Sequence, residues 1–88
     1  MDNSSEHIIV FYSTNVAIKA EQCLLKQGIK VSVMPLPSQI KAGCGICLRV
    51  SPYDTSIAIE ALTKARISEI DLYTRKGTAY EKTKLTDG

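Results

Sequence analysis

Ile46-Cys47-Leu48-Arg49-Val50-Ser51-Pro52-Tyr53-Asp54 carries a strand pattern and a helix start back to back. Its first part alternates. Ile46, Leu48 and Val50 fall on one face of an extended chain and Cys47 and Arg49 on the other, which is the two-residue period of a strand. A helix start follows directly. Ser51 stands at a cap position, and Pro52 suits the first helical position, where a missing N–H costs nothing. Asp54 follows as the acidic partner of a capping box. A strand running straight into a helix is half of a β-α-β unit, so a matching unit is sought on either side.

Upstream, Ser38 to Gly43 is a polar loop without periodicity. Before it, Ile29 to Leu36 reads as a strand in which Ile29, Val31 and Val33 alternate with Lys30, Ser32 and Met34. Pro35 and Pro37 end it, since proline cannot donate to a sheet ladder. From Val16 to Gln27 the apolar residues Val16, Ala17, Ala20, Cys23 and Leu24 recur at helical spacing, and Gly28 is placed to close that helix in a left-handed conformation. Ser13, Thr14 and Asn15 precede it, and each can cap a helix N-terminus. His7 to Ser13 is a short β-branched and aromatic run, a buried strand.

Downstream, the helix begun at Ser51 buries Ala58, Ala61, Leu62 and Ala65, and Ile67 to Tyr73 forms a fourth strand. After Gly77 the chain turns polar, so residues 78–88 read as a fraying tail. The order is β-α-β-β-α-β. It predicts an α+β fold of ferredoxin-like type, with a four-stranded antiparallel sheet and both helices on one face.

The 88 residues fit one domain over 1–88, with its ordered core at about 7–75. A hydrophobic fraction of 44% supports a core, and with no Trp and one Phe that core is aliphatic. The net charge of +2 is too even for a nucleic-acid surface, and Arg75, Lys76, Lys82 and Lys84 read as solvated. No apolar run approaches the ~20 residues of a membrane span. The start Met1-Asp2-Asn3-Ser4-Ser5-Glu6 lacks the basic and apolar parts of a secretion signal, so the expected location is the cytoplasm, where thiols stay reduced.

Three cysteines are too few for a disulfide scaffold. Cys23 lies on the apolar stripe of the first helix and reads as a small core residue. His7 opens the first strand, far from the other candidates, and reads as a surface histidine. Cys44 and Cys47 form a C-x-x-C. If both stand in strand they lie ~10 Å apart on opposite faces and cannot pair. If Cys44 and Gly45 belong to the loop, pairing is open. A thioredoxin-type motif begins a helix, whereas this one runs into strand pattern. The predicted topology returns the loop before Cys44 to the end of the sheet where the first helix starts. There the partial positive charge and free N–H groups favour a thiolate. Gly43 and Gly45 flank Cys44 without side chains, leaving the sulfur approachable. Ser13, Thr14 and Asn15 supply the helix N-terminus, and Arg49, on the face of Cys47, is a candidate anion partner. For a zinc site within one chain only Cys44, Cys47, Cys23, His7 and acidic side chains are on offer, and with Cys23 on the core stripe and His7 at the opposite end of the sheet that case is weak. The chain has neither a phosphate loop nor a dinucleotide fingerprint. No cofactor or metal is expected.

Ile9-Val10-Phe11-Tyr12-Ser13, the helix with Ala17 and Glu21, Pro35-Leu36-Pro37, and Cys44-Gly45-Ile46-Cys47-Leu48-Arg49 together resemble the selenium/sulfur carrier protein-like family of small bacterial domains. The likeness covers about residues 7 to 73. It implies a carrier more than a stand-alone enzyme. Cys44 would hold sulfur or selenium as a persulfide or selenosulfide, Cys47 would be a candidate resolving thiol, a donor such as a cysteine desulfurase would load it, and an acceptor would unload it. Family members carry an arginine directly after the proline. Here Ser38 follows Pro37, so if that arginine holds an anionic group this chain does without it or uses Arg49 or Lys41. Two rival readings stand beside the carrier. One is a ferredoxin-like ligand-binding or regulatory module without covalent chemistry, and the other is a metal-binding module using C-x-x-C across a homodimer.

Overall fold

The computed structural model describes residues 5–40, 44–67 and 69–83. Seven elements follow one another: β1 (Ser5–Phe11), α1 (Thr14–Lys26), β2 (Val31–Pro35), β3 (Ile46–Val50), α2 (Thr55–Lys64), β4 (Ile70–Lys76) and β5 (Ala79–Thr83). They build an antiparallel sheet in the order β2-β3-β1-β4-β5. The fold is therefore α+β, with five strands in place of the expected four.

The fifth strand arises from residues read as tail. Lys76 pairs with Ala79, so Gly77 and Thr78 form a two-residue turn, and Gly77 has a φ of 64°, as such hairpins require. Cross-strand contacts then hold β5. The hydroxyls of Thr74 and Thr83 lie 3.0 Å apart, and Lys76–Glu81 and Lys82–Asp71 form ion pairs at 3.6 Å.

Each sheet face carries its own apolar cluster. On one face Ile9, Phe11, Leu48, Val50, Ile70 and Leu72 pack under Ala17, Ala20 and Leu24 of α1 and Ala58 and Leu62 of α2. Both helices thus cover the same face. The opposite face holds Ile8, Val10, Ile40 and Cys47, with Met34, Leu36, Tyr73 and Tyr80 packed around them. This face is covered by chain outside the helices. The turn after Pro37 is closed by the Ile40 N–H bonding to the Pro37 carbonyl at 2.9 Å, and the Gln39 side chain donates to the Thr78 carbonyl at 2.8 Å. Ile40, in a segment read as a polar loop, is a core residue at 5% exposure.

The helix ends follow local chemistry. Gly28 closes α1 at φ 80°, and the Ile29 N–H returns to the Leu24 carbonyl. α2 ends in the same way, with the Ile67 N–H bonded to the Leu62 carbonyl, but the left-handed position is Arg66 at φ 64°. The start of α2 differs from expectation. Ser51 accepts the Tyr53 N–H on its hydroxyl and the Asp54 N–H on its carbonyl, so Pro52 to Asp54 form a turn and the helix begins at Thr55. His7 is also more than a surface residue. Its Nδ1 lies 2.7 Å from the buried Thr55 hydroxyl, which donates to the Ser51 carbonyl. That hydroxyl has one hydrogen, so His7 Nδ1 carries the proton of this contact. Burial lowers the pKa of His7.

Candidate functional site: the Cys44 bend

Cys44 and Gly45 come just before β3, outside its regular register. Gly45 has a φ of 95°, a conformation that favours glycine, although an added methyl would meet nothing within 4 Å. The constraint is thus on backbone, not on space. Two main-chain hydrogen bonds hold the bend: Cys44 N–H to the Phe11 carbonyl at 3.0 Å, and Leu36 N–H to the Gly45 carbonyl at 2.9 Å. The bend is tied to the end of β1 on one side and to the chain leaving β2 on the other.

The bond to Phe11 fixes where Cys44 sits. Phe11 ends β1, and Ser13 is the N-cap of α1, so Cys44 is anchored one short step from that helix start. Ser13 is extended at φ −142° and ψ 136°, and its side chain makes no capping bond. The first turn also carries no acidic residue. The positive end of α1, including the main chain at Thr14 and Asn15, is therefore capped neither by the Ser13 side chain nor by an acidic residue of its own first turn. Cys44 itself is half-buried. It packs against the helix-side cluster, and its thiol donates to the Ile46 carbonyl at 3.7 Å. Gly43, the other expected flanking glycine, and Lys41 lie outside the described residues.

Cys47 is placed differently. It is the second residue of β3, paired with Val10 on one side and Met34 on the other, and it is 0% exposed. Its side chain belongs to the cluster opposite the helices, and its thiol donates to the Pro35 carbonyl at 3.8 Å. The helices leave this face uncovered, and Ile40 and its neighbours close it. Burial, with a smaller contribution from nearby Cys44, pushes the Cys47 thiol up from 9.0 to about 11. All three cysteines are free thiols. Cys23 is half-buried between the helices, its thiol donating to the Ala61 carbonyl at 3.8 Å.

Arg49 is not brought to Cys44. It stands near the far end of β3, roughly 10 Å beyond Ile46 at the usual strand rise. There it lies 3.7 Å from the Glu6 carboxylate, which Arg75 also contacts at 3.2 Å. Arg49 and Cys47 share a sheet face, as their spacing required, yet the guanidinium is engaged with Glu6. Among the described residues no group of three or more His, Cys, Asp or Glu is placed to hold a metal ion, and no helix is long and apolar enough to cross a membrane.

The sequence reading missed two parts of this surround. Ile40 closes the face over Cys47, and a lone large aliphatic residue shortly after Pro37 was its only signal. The Phe11 carbonyl anchors Cys44, a backbone role that leaves no side-chain trace.

No curated protein and no solved structure matches the chain. A family profile does: residues 6–74 match the family described as "Putative Se/S carrier protein-like", a span that holds β1 through most of β4 and includes the Cys44 bend, Cys47 and Arg49. The match covers well over half of the chain, which therefore belongs to that Se/S carrier protein-like family.

Proposed function

We propose that this domain carries a sulfur or selenium atom on Cys44. The observation behind this reading is the position of Cys44 in a chain of this family. It is a half-buried thiol in a hydrogen-bonded glycine bend, anchored to the strand that leads into an uncapped helix N-terminus. A carrier needs one reachable thiol, a positive field for the thiolate and for the anionic adduct, and room for one added atom. It needs no general base once the thiolate is formed.

Loading would be an exchange at sulfur. The Cys44 thiolate attacks the outer sulfur of a donor persulfide. The donor's S–S bond breaks, its electron pair leaves on the donor thiolate, and Cys44 holds the new persulfide. No outside oxidant is consumed. A cysteine desulfurase in the cytoplasm is a donor of suitable chemistry, and a donor that presents selenium as a selenosulfide would act by the same displacement, its S–Se bond breaking and its thiolate leaving with the electron pair. The α1 N-terminus would stabilise the adduct's negative charge. Mixing the protein with a persulfide-bearing desulfurase and measuring bound sulfane sulfur tests this. The natural chain and Cys47→Ala gain one sulfur per chain, and Cys44→Ser gains none. Equal loading of Cys44→Ser would refute the assignment.

A further inference from the structure

We infer that a sulfur atom held on Cys44 leaves only to a nucleophile on another molecule, the chain's own second motif thiol being walled off on the opposite face of the sheet. This rests on the carrier reading and goes further by fixing the route: unloading by a nucleophile from outside the chain, such as a thiolate, that takes the outer sulfur.

Two routes could empty a Cys44 persulfide. In the internal route, Cys47 gives up its proton and attacks the inner sulfur. A Cys44–Cys47 disulfide forms and the outer sulfur departs with the electron pair as hydrosulfide. In the external route, an acceptor thiolate attacks the outer sulfur. The S–S bond to Cys44 breaks, its electron pair returns to Cys44 as thiolate, and the acceptor becomes the persulfide. The first route wastes the cargo, whereas the second transfers it.

The structure blocks the first. Cys44 packs with Phe11 and the helix-side cluster, while Cys47 packs with Ile8, Val10 and Ile40 on the other side. Between them β3 is an inner strand, bonded to β1 and to β2. Bringing the two sulfurs together would mean turning Cys47 out of its cluster through the sheet or swinging the Cys44 bend off the end of β1. The first would break the pairings of Ile46 with Pro35 and of Cys47 with Met34 and Val10, and the second the two bonds that hold the bend. Ile40 would also lose its cover. Cys23 offers no substitute. It lies nine residues into α1, roughly 13 Å along the helix from the end near Cys44, with its thiol toward α2.

The test has two arms. In the first, the reduced protein reacts with dipyridyl disulfide, and released thiopyridone and peptide masses are followed. The expected result is one thiopyridone released at Cys44, a mixed disulfide that persists, and no Cys44–Cys47 disulfide. A second release that forms the internal disulfide and vanishes in Cys47→Ala would overturn the inference. This arm does not depend on carrier activity. In the second arm the chain is loaded from inorganic polysulfide and left without thiol, and glutathione is then added. The added sulfur persists until glutathione takes it, and natural and Cys47→Ala chains unload at rates equal within about twofold. Hydrosulfide release before glutathione, with an internal disulfide left behind, would overturn the inference. Failure of Cys44 to hold any sulfur would instead overturn the carrier reading, with the first arm still deciding the route.

Discussion

Cys47 should be among the least reactive thiols a small domain can hold, and the size of the effect follows from its surroundings. The perturbation is a short pulse of iodoacetamide at about pH 8, with and without denaturant. A thiol of pKa 9.0 is ionised to about one part in ten at that pH, and one pushed to about 11 to about one part in a thousand. The more basic thiolate is the better nucleophile, which returns about eightfold of that hundredfold loss. Ionisation alone thus slows Cys47 about tenfold relative to the unfolded chain. Full burial adds the free energy of opening the Ile40 cluster, so tenfold is a lower bound. Cys44, half-buried in its bend, lacks that cover. The assay is mass spectrometry of the peptide that spans both residues, with fragments assigning the label. Native protein should be labelled at Cys44 ahead of Cys47, and denaturant should remove most of the difference. Cys47 labelled in native buffer as fast as in denaturant would show that the Ile40 cluster does not shield it.

Other consequences concern stability. The raised pKa of Cys47 contributes stability that is fully present below pH 9.0 and is lost as pH rises toward about 11. At pH 10 the natural chain should lose about 1 kcal/mol that Cys47→Val does not, as read by urea unfolding at pH 8 and pH 10. His7 has the opposite sign. Its pKa is lowered in the folded state, so its contribution is present above 6.5 and is lost as pH falls below it. His7→Ala should cost about 1 kcal/mol at neutral pH, through the lost bond to Thr55, and should flatten the acid limb of the stability profile. Arg66→Gly relieves a left-handed residue at the end of α2 and should raise stability by about 0.5–1 kcal/mol in thermal or urea unfolding.

What could be read from the sequence was local. The alternation of Ile46 to Val50 placed Cys47 and Arg49 on the same face, and the structure keeps them there. Gly28 announced the end of α1 because a left-handed cap is a property of a few neighbouring residues. The β-α-β-β-α-β order was enough to bring the Cys44 bend to the start of α1, since antiparallel strands leave few alternatives.

The rest depended on contacts between distant residues. β5 has the charged pattern Glu81-Lys82 around Tyr80 and makes sense only once Asp71 and Glu81 find their lysines across the hairpin. Ile40 shows no period because it belongs to no element, and it is buried because the turn after Pro37 folds over β1 and β3. His7 finds Thr55 across 48 residues of chain. Burial of Cys47 follows from Ile40, so the contrast between the two motif thiols could not be read from their spacing. Arg49 was too far along β3 to serve Cys44, a matter of strand rise, and its engagement with Glu6 appeared only with the register of β1 against β3.

The most direct test of the carrier claim is site-resolved occupancy after exposure to a persulfide donor. The natural chain is incubated with the donor, trapped with an alkylating agent, and read by mass spectrometry at Cys23, Cys44 and Cys47. One added sulfur is expected, on Cys44, with Cys23 and Cys47 unchanged. Sulfur on Cys23 or Cys47 in preference to Cys44, or on none of the three, would contradict it.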